Sequence, residues 1–240
     1  TYLTVMYNDT IKTADALPLK KMLLHRMKTN YTQIMEKNGG EVFCEKSDME
    51  EFYNHGLIIL DWFKKKRNMY FNKKGYELVG IEVPVDYDLP DKIKFIGYID
   101  VILHDTVRDR YKIIDIKTST MGWNKYQKAD KTKTDQLLLY KYFYGAQHGI
   151  PVDRIDVEYF IVKRKLYEKL DYPQRRVQTF QPASGKPSIN KLMNNLNNFL
   201  NESFIDGEHN LEHNYIKQPS KKNCRYCVFN QTEHCDVGVK

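Results

Sequence analysis

Apolar residues recur at helical spacing from Ala14 to Lys37, at Leu17, Leu19, Met22, Leu23, Met27, Tyr31, Ile34 and Met35, and the run stops at Asn38-Gly39-Gly40. A second helix is expected from Met49 to about Tyr70. Its stripe is Phe52, Leu57, Ile59, Leu60 and Phe63, with Ser47 and Glu50 as its capping box. The pattern then changes period. Tyr76 to Tyr87 reads as a strand in which Gly80 and Pro84 suit an edge or a bulge. Ile93 to Leu103 and Tyr111 to Lys117 are rich in Ile, Tyr and Val, and the polar segment HDTVRDR between them signals a hairpin. A helix over Asp130 to Gln147, carrying Leu137, Leu138, Tyr140 and Tyr144, precedes a strand over Arg154 to Val162. After a polar stretch, Val177 to Phe180 forms a short strand. Ile189 to Phe204 is a helix with Leu192, Met193, Leu196, Phe199 and Leu200 along it, and an irregular tail follows.

Helices, three strands, a helix and a strand predict an α/β fold, a mixed sheet flanked by helices. The expected organisation is an N-terminal helical lobe over 1–75, a core over 76–165, and a C-terminal strand, helix and cysteine tail over 166–240, all in one compact domain. Because side chains alternate along a strand, Asp115 and Lys117 emerge on one face while Ile114 and Ile116 point to the other. Asp100 lies on the neighbouring strand. Two carboxylates and an ammonium can converge there, the side-chain set of a divalent-metal hydrolase. The bland alternative is a surface salt bridge between strand neighbours.

Composition adds direction to this picture. Lys and Arg number 38 against 31 Asp and Glu, a formal charge of +7, and 13% of residues are aromatic. That balance suits a nucleic-acid partner and equally a mildly basic soluble protein. No apolar run approaches the roughly 20 residues of a membrane span, and no signal segment opens the chain, so an intracellular, cytoplasmic protein is expected, in the host cell if viral. The chain begins at Thr1 rather than Met, which suggests a longer N-terminal part removed or left out.

Taken in order, GYID (Gly97 to Asp100), DIKTS (Asp115 to Ser119) and the Q-x-x-x-Y of Gln136 and Tyr140 resemble the RecB-like branch of the PD-(D/E)XK nucleases, which includes phage exonucleases and CRISPR-associated nucleases. The resemblance covers roughly Tyr76 to Lys165. It implies a restriction-endonuclease-like fold, with Asp100 and Asp115 as ligands of a catalytic Mg²⁺ or Mn²⁺. Lys117 would assist the nucleophilic water, as its orienting group, as a base, or by stabilising charge on the phosphate. Gln136 and Tyr140 would border the site. It further implies an acidic residue on the preceding strand, for which Glu82 is the choice and Glu77 the alternative. A histidine from an N-terminal helix is implied too; His25 and His55 are candidates, neither in the usual G-x-x-x-H context. Three cysteines of the tail, Cys224, Cys227 and Cys235, would hold an iron–sulfur cluster with Cys44. His234 offers a zinc alternative, and free thiols are the third reading.

Beyond DIKTS the segment STMGWNKYQKADKTKT interleaves rings and cations. Trp123 and Tyr126 could stack on unpaired bases while Lys125, Lys128, Lys131 and Lys133 meet phosphates; a lysine-rich loop around a packed Trp is the plain alternative. The expected function is a metal-dependent DNA nuclease, an exonuclease acting on single-stranded or duplex ends in recombination, repair or phage DNA processing, with a helicase or recombination protein as partner. The alternatives are a structure-selective endonuclease or resolvase, and a catalytically silent nucleic-acid-binding module with a structural metal.

Overall fold

Five strands form one sheet in the order β1-β2-β3-β4-β5, and they comprise Tyr76–Asp88, Lys94–Asp105, Arg110–Ser119, Ile155–Lys163 and Val177–Phe180. The computed structural model describes residues 1–167, 171–213 and 216–239. Residues 168–170 of the polar stretch before β5 and residues 214, 215 and 240 of the tail lie outside them. β1, β2 and β3 are antiparallel neighbours, β3 and β4 run parallel, and β5 returns antiparallel. Parallel neighbours require a crossover. It is made by α6 (Lys131–His148), which Asp130 caps by accepting from Thr132 N at 3.2 Å. This is the expected mixed sheet flanked by helices.

Each face of the sheet has its own cover. On one, Phe143 of α6 stacks on Phe95 with centroids 4.4 Å apart and packs against Tyr87. On the other, Val101, Leu103, Ile114 and Phe160 join Tyr2, Met6 and Phe71 in a buried cluster. Tyr2 and Met6 come from α1 (Tyr2–Asn8), which with α2 (Ile11–Asp15) was absent from the sequence expectation. Both are too short to show a period. Polar contacts help to hold them: Thr13 N donates to Thr10 Oγ1 at 3.0 Å, Tyr2 OH to Asp15 Oδ1 at 2.6 Å, and Tyr7 OH to Asn72 O at 3.1 Å.

The next two helices form a hairpin. α3 (Leu19–Lys37) and α4 (Lys46–Lys66) meet where Leu23 lies on Gly56, so close that a Cβ there would come within 2.6 Å of Leu23 Cδ2. Neither helix has a fully buried residue. α4 starts three residues before the expected Met49, because Asp48 rather than the Ser47–Glu50 pair caps it; Glu45 N donates to Asp48 Oδ2 at 3.2 Å.

A fork in the sheet creates the site. The β2–β3 ladder ends at Val101↔Ile114, whereas β3 continues beside β4 to Ser119↔Lys163. Just past the last pair, Ile116 N donates to Asp100 Oδ2 at 2.5 Å, so a side chain takes up the amide that the diverging strand leaves. β1 is irregular at the same level, with a register shift between Leu78 and Gly80 and a left-handed Glu82 (φ 52°). Phe95 and Gly97 touch α6, yet Val101 and Leu103 pack on the opposite side. The alternation along β2 therefore switches sides around Asp100.

By its contacts the chain divides into two compact units, 1–194 and 195–240. In the first, Ile189 and Leu192, at the start of α7 (Lys186–Ser203), pack with Leu138 of α6. Beside them Lys141, 5% exposed, donates to Ser184 O at 2.8 Å. Burial holds this ammonium below the ordinary lysine range, against the opposing charge of Asp156. Below its folded pKa the native state thus keeps a buried charge that the unfolded chain would solvate. That cost lifts as pH rises from the folded value toward the ordinary ~10.4. Chemical denaturation of wild type and Lys141→Met from pH 7 to 10 should show wild type gaining on the variant as pH rises; parallel curves would exclude the effect. In the second unit, β6 (Phe204–Ile205) and β7 (Glu208–His209) form a small hairpin, and α8 (Lys221–Cys224) opens the cysteine tail. Among the described residues no helix is long and apolar enough to cross a membrane.

Candidate active site

β3 turns Asp115 and Lys117 toward α6, as alternation predicts. Asp115 is 3% exposed, and its Oδ2 lies 2.9 Å from Lys117 Nζ. Lys117 Nζ also donates to Asp115 Oδ1 at 3.1 Å and to Gln136 Oε1 at 3.0 Å. Gln136 Nε2 reaches the Tyr140 hydroxyl at 3.4 Å, one helical turn along α6. The Tyr140 ring rests on Gly97, where an added Cβ would come within 2.6 Å of Cε1. The glycine of GYID is therefore a requirement of the ring's position. Asp100, Asp115, Lys117, Gln136 and Tyr140 are thus drawn into one site by two strands and one helix.

Burial pushes the Asp115 carboxyl above the usual aspartate range; the Lys117 ammonium pulls it back, and the Asp100 charge raises it further. Asp115 Oδ2 is fully buried and has no hydrogen bond of good geometry, although it is within ion-pair distance of Lys117. We read the contact as a charge interaction that leaves a lone pair for another cation.

Glu82 falls between the pairs Ile81↔Val101 and Val83↔Ile99, opposite Asp100, but it is exposed and left-handed. Among the described residues no three His, Cys, Asp or Glu side chains are grouped to hold a metal, so Glu82 does not complete a trio with the aspartates. Glu77 pairs with His104 and lines a different cavity, with Tyr7 and Lys73. His25 is exposed on α3. His55 is half-buried on α4, its Nδ1 3.7 Å from Glu51 Oε1, and Glu51 in turn pairs with Lys165 just beyond β4 at 2.9 Å.

The segment after β3 is fastened to β5. Trp123 N donates to Gln178 Oε1 at 2.8 Å, and Gln178 Nε2 donates to Trp123 O at 3.0 Å. The half-buried Trp123 ring lies 4.9 Å from the ring of Tyr159, a fully buried residue whose face lies 5.9 Å from Lys117 Nζ. Tyr126 stands 74% exposed on α5 (Lys125–Ala129), with Lys125 over its ring. Lys128 and Lys133 lie over Phe180 and Trp123, and Lys131 is exposed. Tyr159 and Gln178 were not singled out from the sequence, though each sits at an alternating strand position that a matched register would have pointed at the site.

The expected iron–sulfur or zinc centre finds no support in the arrangement of these side chains. Cys224, Cys227, Cys235 and His234 line one cavity of about 500 Å³, but Cys224 is buried and Cys227 exposed, and no metal-holding group arises among the described residues. Cys44 lines another cavity, with Tyr31, Val42 and Met49. None of the four is in a disulfide.

A solved structure titled "Crystal structure of SSO0001" is similar at 14% identity over 94% of this chain and 99% of that chain, with a TM-score of 0.37, too remote to bear on the site. No curated protein matches the chain significantly. A family model described as the PD-(D/E)XK nuclease superfamily matches residues 45–232, a span that contains the forked strands, the Asp115–Lys117 pair and the α6 residues that meet it. The chain belongs to the PD-(D/E)XK nuclease superfamily.

Proposed function

We propose that this chain hydrolyses phosphodiester bonds in DNA with the help of a divalent ion, as an exonuclease of the RecB-like branch working in recombination, repair or phage DNA processing. The superfamily implies a metal-dependent nuclease, and the finer reading rests on GYID, DIKTS and Q-x-x-x-Y and on the net charge of +7. One observation carries the reading above all. The Lys117 ammonium reaches both Asp115 and Gln136 beside the fork that presents Asp100.

The donors suit Mg²⁺ or Mn²⁺. Asp115 Oδ2 is buried without a hydrogen bond, and Asp100 engages Ile116 N through one carboxylate oxygen, leaving the other. Such ions take hard oxygen ligands, keep several waters and need only one or two carboxylates from the protein. Asp100 and Asp115 would hold the ion, which when bound neutralises charge on the phosphodiester and lowers the pKa of the attacking water. Lys117, fixed by Asp115 and Gln136, is placed to orient that water or to donate to a phosphate oxygen. Tyr140 steadies Gln136, and Gly97 lets its ring come close.

The test is a cleavage assay on end-labelled single- and double-stranded DNA and on closed circles, with Mg²⁺, Mn²⁺ or chelator. Short products should appear from the ends with either metal, and chelator should stop them. Cleavage that persists in chelator, or none with either ion, would overturn the nuclease reading. Rapid cutting of circles would replace the exonuclease with an endonuclease.

A further inference from the structure

Beyond the Asp115–Lys117 pair, the α6-facing side of β4 and β5 carries a row of rings topped by ammonium groups. Trp123, Tyr159 and Phe180 follow one another at 4.9 and 6.4 Å between centroids, the last two nearly parallel at 10°. Lys117 lies over Tyr159, Lys133 over Trp123 at 5.7 Å and Lys128 over Phe180 at 5.7 Å. Lys163 completes the set. It pairs with Ser119 two positions past Lys117, on the same face, and its side chain lies against Gly122, where a Cβ would come 2.9 Å from Lys163 Cε. Lys128, Lys133 and Lys163 are only half-exposed, and none has a carboxylate within 4 Å among the described residues.

We propose that Lys128, Lys133 and Lys163 form a phosphate track that carries a nucleic-acid strand away from Asp115 and Lys117 across the β4–β5 side of the sheet. The proposal rests on the nuclease reading for the identity of the strand. A half-buried ammonium without a counter-charge has lost part of its hydration, and a ring face restores only part of that. A phosphate oxygen supplies the missing charge. Three such groups leading from one reactive pair fit a polyanion better than a small anion, which would need them gathered around one point. Each ring already has a lysine over its face, so the track reads backbone rather than bases, and Trp123 acts as a support for Lys133.

Binding of the full chain to labelled single-stranded DNA in chelator, measured over a range of salt, tests this without cleavage. Each phosphate contact contributes about 0.7 to the slope of log affinity against log salt on single strands. Lys128→Gln/Lys133→Gln/Lys163→Gln should therefore lower the slope by about 2, and the matching triple Arg variant should restore it. Lys20→Gln/Lys21→Gln/Lys28→Gln, which removes the same charge from α3, should leave the slope at the wild-type value. An unchanged slope in the first variant, or an equal fall in the α3 variant, overturns the track. A normal salt response from a chain that cuts nothing would sink the nuclease reading and leave the track standing.

Discussion

Asp115→Asn is expected to bring cleavage to background, and Lys117→Ala to slow it by roughly 10²–10⁴-fold, while DNA binding in chelator and the unfolding midpoint stay close to wild type. A thousandfold loss corresponds to about 4 kcal/mol of barrier. Asn keeps the shape of a side chain that is 3% exposed, and removing a charge whose burial already raises its pKa should cost the fold little. The Lys117 side chain is 35% exposed, so truncating it opens no sealed cavity. Initial rates on end-labelled DNA check both. If the two variants cut at near wild-type rates, the reactive pair is misassigned.

Phe71→Ala should be the most damaging single change to stability. Phe71 is 1% exposed and packs between Phe63 at 5.7 Å and Phe160 at 5.3 Å, behind the strands that present the site. Emptying such a position costs about 3–5 kcal/mol, out of a total of roughly 5–15 kcal/mol for a domain. At about 2–4 °C per kcal/mol, the melting midpoint should fall by on the order of 10 °C. A drop under about 2 °C would mean that this face of the sheet is not the main core.

The strand and helix order around the site was readable because each element there is long enough to show its period, and because Asp115, Lys117, Gln136 and Tyr140 sit at positions whose direction the period fixes. What escaped the sequence has physical reasons of its own. α1 and α2 are shorter than two helical turns and are stabilised by a side-chain cap and by a tertiary hydrogen bond from Tyr2 to Asp15, which no local pattern encodes. The switch of sides along β2 depends on where two ladders part company, and that is settled by Asp100 and Ile116, 16 residues apart. Glu82 was chosen for its place on the strand before GYID, and no pattern in the sequence announces the left-handed backbone at that residue. Cysteine spacing in the tail allows a metal centre but does not compel one, since the approach of Cys44 is a tertiary matter.

The hydrogen bond from Ile116 to Asp100 gives that aspartate a second employment, as the stopper that keeps two strands from zipping together. Remove its oxygen and the freed amide faces a β2 backbone that could extend the ladder by one more pair, shutting the cleft from within. An Asp100→Ala protein could then be inert for two unrelated reasons, a carboxylate missing from the proposed ion site and a closed door. For trapping an uncut strand on this enzyme, Asp115→Asn is the cleaner reagent, because it removes a charge and leaves the opening as it was.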